Sequence, residues 1–160
     1  MSTQAHDLAR TLVARSSPPP LSPTAAYHAS LTPAIDALPD SPPIRAALHL
    51  VNDDTHRAHE VAQADEGNST SDYVHQQLHR REGDFWNSKW WAGNGMRAPH
   101  PVMKKVHGGF VGAKRFVDDC ERASGQSAND QNLSRIAGLE QTQWQELQAT
   151  LEYALENEAA

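Results

Sequence analysis

The residues best suited to chemistry in this sequence form a histidine-containing run from His75 to His79, with Glu82 close behind it. In an α-helix, positions i, i+4 and i+7 share one face, so His75, His79 and Glu82 would point the same way. Two imidazoles one turn apart can hold one metal ion, and Glu82 could be a third ligand or a general base. If the preceding helix packs alongside, its His59 could approach the same point. One hypothesis is therefore a site for one divalent metal, with His75, His79, Glu82 and His59 as candidate ligands.

A second interpretation of the same run needs no metal. A histidine beside a carboxylate can act as a general acid or base near neutral pH, which gives His79 and Glu82 catalytic roles. Asn87 could then stabilise a polarised carbonyl or hold a carboxylate. A third interpretation is structural, in which polar side chains satisfy each other and lock two hairpins together. The spacing alone leaves these alternatives open.

Aromatic and basic residues around this run form a candidate ligand pocket. Three tryptophans could wall an apolar cavity, although core packing also explains at least two of them. Two arginines near Lys89 form the densest basic spot and could bind an anionic group, with ordinary surface ion pairs as the alternative. Ligand binding is accordingly assigned to His75, Arg80, Arg81, Trp86, Trp90 and Trp91.

Helical periodicity and capping residues predict the elements that carry these side chains. Asp54 and Asp84 are suited to be N-caps, and glycines at 93 and 95 are suited to end a helix. A pattern shared at an offset of thirty residues, between 48–58 and 78–88, predicts two hairpins with the same turn. That turn resembles a tetratricopeptide hairpin. The expected helices in this region cover residues 54–64, 71–82 and 85–92.

The remainder of the chain divides into an N-terminal arm and a helical core. Residues 1–40 are rich in alanine and proline, with short helices expected after Ser/Thr-Pro pairs. Residues 96–111, which contain two prolines and two glycines, predict an irregular stretch. An apolar stripe predicts a long final helix that starts at Asn129 or Asp130. The sequence therefore predicts an all-α fold: a single domain, 41–157, of packed helical hairpins with a long C-terminal helix.

Composition limits the classes of function. The chain has 160 residues, a formal net charge of −6 and one cysteine. An acidic balance argues against nucleic acid and anionic membranes as partners, because both require a basic face. The N-terminus lacks the pattern of a secretory signal, and no apolar run approaches the ~18–20 residues of a membrane span. We expect a cytoplasmic protein with a small-molecule ligand and with neither nucleic-acid nor membrane partners, and homo-oligomerisation stays open.

Several of these residues also carry a resemblance. The run from His79 to Asp84 with Asn87 and Trp90, followed by His100-Pro101, Phe116-Val117-Asp118 and Trp144, resembles a family of small uncharacterised helical proteins of bacteria and fungi. The likeness spans roughly residues 45–155 and implies a shared fold, because that family has no assigned reaction. The segment 92–95 is less basic than in those relatives, which implies a more apolar ligand. The resemblance implies the signature positions His79, Arg80, Arg81, Glu82, Asp84, Asn87 and His100.

Three functions fit the sequence. The first is a small-molecule enzyme, either a metal-assisted hydrolase or lyase or a cofactor-free cyclase or isomerase, with His79, Glu82, Asn87 and His100 as catalytic candidates. The second is a tetratricopeptide-like module that binds a polypeptide in a helical groove. The third is a metal-binding protein without catalysis. A specific polypeptide partner would distinguish the second, and stoichiometric metal without an organic ligand would distinguish the third.

Overall fold

A computed structural model describes residues 2–159 of the chain. Over these residues the polypeptide forms nine α-helices and no strand, which confirms the predicted all-α single domain. A 3-10 turn, Ala29–Leu31, precedes the second helix, and a π-helical turn, Trp91–Gly95, follows the sixth. The helices are α1 (Thr3–Val13), α2 (Thr32–Asp36), α3 (Pro42–Val51), α4 (Thr55–Gln63), α5 (Ser69–Arg81), α6 (Phe85–Trp90), α7 (Pro101–His107), α8 (Phe110–Ser124) and α9 (Asp130–Asn157).

Helices α3, α4, α5 and α6 pack in sequence, each against the next, through short turns. The turns after α3 and α5 share one geometry, because Asp53 and Gly83 both have left-handed φ angles, 59° and 81°. In each turn the next residue, Asp54 or Asp84, caps the following helix by accepting a backbone N–H three positions on. The hairpin turn predicted to repeat at an offset of thirty residues is therefore present in the backbone. The tetratricopeptide likeness stays a prediction.

The main hydrophobic core lies between α1, α3, α4, α5 and α9. Most of α3 is buried in it, and the long α9 contributes Trp144, Leu147, Leu151 and Leu155. Much of the N-terminal arm also belongs to this core, because Leu8 and Leu12 of α1 and Ile35 of α2 are buried there. The apolar face of α1 packs on α3 and α9, so the arm contributes to the same packing unit as the helices that follow it.

The prediction of an irregular stretch over 96–111 is wrong, because α7 occupies Pro101–His107 and α8 begins at Phe110. Pro101 takes the first helical position, where its missing N–H breaks no intrahelical hydrogen bond. Gly108 and Gly109 have positive φ angles, 80° and 129°, so the chain turns sharply between two helices. Proline and glycine mark helix ends as well as loops, and composition alone does not distinguish the two.

No helix within residues 2–159 has both the length and the apolar character that crossing a bilayer requires. The longest, α9, has 28 residues, but carboxylates such as Glu140, Glu146 and Glu152 occur along its length.

Candidate metal centre

Three histidine side chains from two packed helices converge on one point. His59 comes from α4, and His75 and His79 come from one face of α5. One ring nitrogen from each residue lies within 4.8 Å of the other two, and the Nε2 atoms of His59 and His75 are 3.1 Å apart. Nitrogen ligands around a tetrahedral metal with bonds of about 2.0–2.1 Å are about 3.3–3.4 Å apart. The His59–His75 distance is close to this value, and the three residues form a group that could hold a metal ion.

Burial favours the neutral form of the His59 and His75 imidazoles, which is the form that binds metal. His75 and His79 are almost fully buried, whereas the His59 side chain is 31% exposed. Burial, reinforced by His79 and His59, lowers the pKa of His75 to about 3. Burial also lowers the pKa of His59, against the opposing effect of Glu82. Two ring nitrogens that face each other at 3.1 Å must share a proton or a cation, and a metal ion can accept both lone pairs.

Glu82 lies near the Nδ1 atoms of two of the histidines and is not part of the group that could hold an ion. Its carboxylate oxygens are 3.5 Å from Nδ1 of His79 and 3.8 Å from Nδ1 of His59. An acidic partner at Nδ1 orients an imidazole and leaves its Nε2 to bind metal. Among the described residues, the group that could hold an ion consists of His59, His75 and His79. The geometry therefore favours a supporting role for Glu82 over the predicted role as a ligand.

Asn87 reaches the histidine cluster only through Asp84. The Asn87 backbone N–H donates to Asp84 Oδ1 at 3.2 Å, and its side-chain amide is 3.4 Å from Oδ2 of the same residue. Asp84 Oδ2 in turn lies 3.8 Å from Nδ1 of His79. Asn87 thus belongs to the first turn of α6, and this geometry does not support its predicted role as a stabiliser of a reacting carbonyl.

The three tryptophans assigned to a pocket wall have different environments. Trp91 stacks on His75 with ring centroids 4.3 Å apart, and Trp90 meets Trp91 edge-on at 5.4 Å. Trp86 is 73% exposed and makes neither contact. Gly95 allows this position of Trp91, because a Cβ at residue 95 would come within 2.2 Å of the indole ring. The aromatic wall consists of Trp90 and Trp91, without Trp86.

A cleft of about 530 Å³ opens beside Trp91. Trp90, Trp91 and the segment 94–99 line one part of it, and the N-terminal end of α5 with the residues just before it lines another. This volume lies in the range of small-molecule sites. The cleft and the histidine cluster share Trp91, which lines the cleft and stacks on His75.

The two arginines assigned to anion binding are buried in ion pairs. Arg80 donates to Glu146 of α9 at 2.7 Å, and both side chains are excluded from solvent. Arg81 donates to the Asp53 carboxylate and, at 2.8 Å, to the carbonyl oxygen of Leu50. A guanidinium that is already neutralised inside the protein does not present its charge to a ligand. Arg80 and Arg81 therefore stabilise the fold and do not bind a ligand. Their ion pairs are buried, whereas the alternative predicted from the sequence was ion pairs on the surface.

His100 lies outside the histidine cluster. Its Nδ1 accepts the Val102 backbone N–H at the start of α7, and its Nε2 is 3.1 Å from Thr70 Oγ1. Since the Thr70 hydroxyl donates to Glu158, Nε2 of His100 must carry the proton and donate to Thr70. Both ring nitrogens are thus occupied by structural contacts, and the geometry does not support a catalytic role for His100.

We expect folding stability to fall between about pH 6.5 and about pH 4 because of His100. Burial, partly offset by Glu158, lowers the pKa of His100 to about 4, whereas histidine in an unfolded chain titrates near about 6.5. Over this range the unfolded chain binds a proton that the folded chain does not, so the free energy of unfolding falls by about 3 kcal/mol as the pH falls. His100→Asn keeps a capping side chain that does not titrate. Urea denaturation at several pH values should show a flatter profile for this variant, and parallel profiles would contradict the prediction.

Two carboxylates, one beside the cleft and one in the protein interior, were not predicted from the sequence. Asp72 lies three residues before His75 and lines the cleft, so its helical spacing from the histidines was an available signal. Glu146 is buried at 0% exposure and accepts a hydrogen bond from the Tyr73 hydroxyl. Nothing in the local sequence marks Glu146, because its partners Arg80 and Tyr73 are 66 and 73 residues away.

The chain matches no protein-family model, no curated protein and no solved structure. The resemblance to small helical proteins of bacteria and fungi therefore stays a prediction. The fold and the site define a class: an all-α protein with a three-histidine cluster that could hold a metal ion, next to a cleft of small-molecule size.

Proposed function

We propose that the protein binds one divalent transition-metal ion through His59, His75 and His79 and uses it in metal-assisted hydrolase or lyase chemistry on a small molecule. The observation that carries this proposal is the convergence of three ring nitrogens within 4.8 Å on two packed helices. Imidazole ligands suit zinc, copper, iron and nickel. When three histidines bind such an ion and one position stays open, the ion serves as a Lewis acid.

The surroundings of the cluster fit a reactive site better than a storage site. The side chains of His59 and Glu82 are 31% and 28% exposed, so a small molecule can reach this side of the cluster. The Glu82 carboxylate faces Nδ1 of both His59 and His79, so a general acid or base stands beside the cluster. Trp91 covers the ring of His75 and keeps water from that face. These features support metal-assisted turnover over metal storage.

Metal binding is tested by dialysing chelator-treated protein against zinc and measuring the bound metal. We expect about one zinc ion per wild-type chain and none for His59→Ala, because two imidazoles hold zinc far more weakly than three. His56→Ala is the matched control, since His56 is on the same helix with a side chain 87% exposed, and it should bind as the wild type does. Glu82→Gln should weaken binding about 10–100-fold, as is typical of groups that support ligands.

Two results would overturn the metal assignment: a wild-type chain that binds no zinc, copper, iron or nickel, and a His59→Ala variant that binds as tightly as the wild type. The catalytic part has its own test with an activated ester, 4-nitrophenyl acetate. Zinc-loaded wild type should hydrolyse it faster than the metal-free protein and faster than zinc-treated His59→Ala. Equal rates in all three samples would refute metal-assisted hydrolysis and leave metal binding alone.

A further inference from the structure

We propose that the cleft beside the histidine cluster binds a small organic amine, with the ammonium group at Asp72 and an aromatic or apolar body against Trp90 and Trp91. Binding of the amine depends on the cleft alone.

Asp72 is a buried carboxylate that faces this cleft without a counter-ion. The residue is only 7% exposed, yet it lines the cleft. Its Oδ1 accepts the Gly67 backbone N–H at 3.1 Å, and within residues 2–159 no lysine, arginine or histidine forms an ion pair with it. Burial, together with the nearby Glu66 and Asp65, raises the pKa of Asp72. An unpaired buried charge is costly, and an ammonium group in the cleft would supply the missing partner.

The two tryptophans provide the second half of the recognition. Trp90 is 40% exposed although it is a large apolar side chain, and both indoles line the cleft. Indole faces attract cations and pack against apolar or aromatic groups. Gly95 leaves room for Trp91 in this position, because any side chain at that residue would collide with the indole ring. An amine with an aromatic body would therefore satisfy Asp72 and the tryptophans together.

The charges around the cleft favour a cation over an anion. Glu66, which is exposed, adds a second carboxylate to the lining. Arg97 is the one guanidinium in the lining, and it is exposed. Solvent and salt therefore screen its charge more strongly than they screen the buried charge of Asp72. The chain as a whole carries a net charge of −6, which favours the approach of cations. A carboxylate ligand would instead have to bind through Arg97, and a pair of oppositely charged probes separates the two cases.

The test uses 2-phenylethylamine and 3-phenylpropionate, which share a phenyl body and differ in charge, with tryptophan fluorescence as the readout in full-length protein. We expect the amine to quench the fluorescence in a saturable way and the carboxylate to bind at least about tenfold more weakly. Asp72→Asn keeps an acceptor for the Gly67 N–H and should weaken amine binding about tenfold or more. Trp90→Ala should also weaken it about tenfold, whereas Trp86→Ala, the exposed control on the same helix, should leave it within about twofold.

The outcomes separate this proposal from the proposed function. His59 does not line the cleft, so His59→Ala should lose zinc and still bind the amine. Amine binding in a wild-type chain that takes up no metal would refute the metal centre and support the cleft. Preferential binding of the carboxylate would overturn the cleft proposal, as would amine binding unaffected by both Asp72→Asn and Trp90→Ala. The absence of amine binding in zinc-loaded wild type would overturn it as well.

Discussion

Replacement of Glu146 by alanine should cost about 3–5 kcal/mol of folding stability, the cost typical of breaking a buried ion pair. The Glu146 carboxylate accepts hydrogen bonds from Arg80 and Tyr73, and Nε2 of His107 lies 3.0 Å from it. Burial by itself would raise the pKa of Glu146, but Arg80 and His107 outweigh it and hold the pKa well below the usual range. Without the carboxylate, the guanidinium of Arg80 stays buried at 2% exposure with no counter-ion. Urea denaturation followed by circular dichroism measures the loss.

Asp118→Ala is the matched control for this prediction. It removes the partner of Lys89 in an ion pair at 2.8 Å whose side chains are 35% and 45% exposed. An exposed pair of this kind contributes at most about 1 kcal/mol. If both variants lost the same small amount, the Arg80–Glu146 pair would not be the buried support that the structure describes. Glu146→Ala should retain zinc binding, because none of the three histidine ligands contacts Glu146.

Asp53→Asn should destabilise the protein by a similar amount, about 3–5 kcal/mol. The Asp53 carboxylate pairs with Arg81 and Arg15, whose side chains are 0% and 8% exposed. Asn tolerates the left-handed conformation of this residue, φ 59°, so the backbone contributes little to the loss. The variant therefore reports the cost of leaving two buried guanidinium groups without their counter-charge. The free energy of unfolding in urea is again the measurement.

The repeated turn provides the control for Asp53. Gly83 occupies the equivalent place thirty residues later with φ 81°, and an added Cβ there meets no atom within 4 Å. Gly83→Asn should cost no more than about 1 kcal/mol, because Asn also adopts the left-handed region. If Asp53→Asn were no worse than Gly83→Asn, the ion pairs of Asp53 would contribute nothing measurable.

The two hairpin turns illustrate how one local pattern serves two purposes. His49 in α3 and His79 in α5 are equivalent positions, and both side chains are buried. The Nε2 of His49 lies 2.9 Å from Asp36, which is a partner in the fold. His79 instead lies with His59 and His75 in the candidate metal centre. The difference comes from the neighbouring elements and not from the hairpin itself.

Much of the fold and part of the site could be predicted from local sequence. Periodicity and N-caps act between residues a few positions apart, so the order of most helices and the repeated turn were predictable. The prediction that Gly93 and Gly95 end a helix in the left-handed conformation is wrong, because neither has a left-handed φ angle and a π-helical turn runs through both. The same local geometry placed His75 and His79 on one face of α5, with Glu82 directly after its last residue. The stretch 96–111 was a further exception, because Pro101 begins a helix and Gly108 ends it, which the composition did not reveal.

Tertiary structure alone decided which of these side chains meet. His59 joins the cluster because α4 packs on α5, and the two histidines that face each other are 16 residues apart. Arg80 and Arg81 are structural residues because they form ion pairs with carboxylates 66 and 28 residues away in the sequence. The sequence determined the local elements and the residue types that they carry. The packing of distant helices determined which polar groups were neutralised inside the protein and which, such as Asp72, were left to face a cleft, because burial and charge pairing depend on contacts that no local pattern encodes.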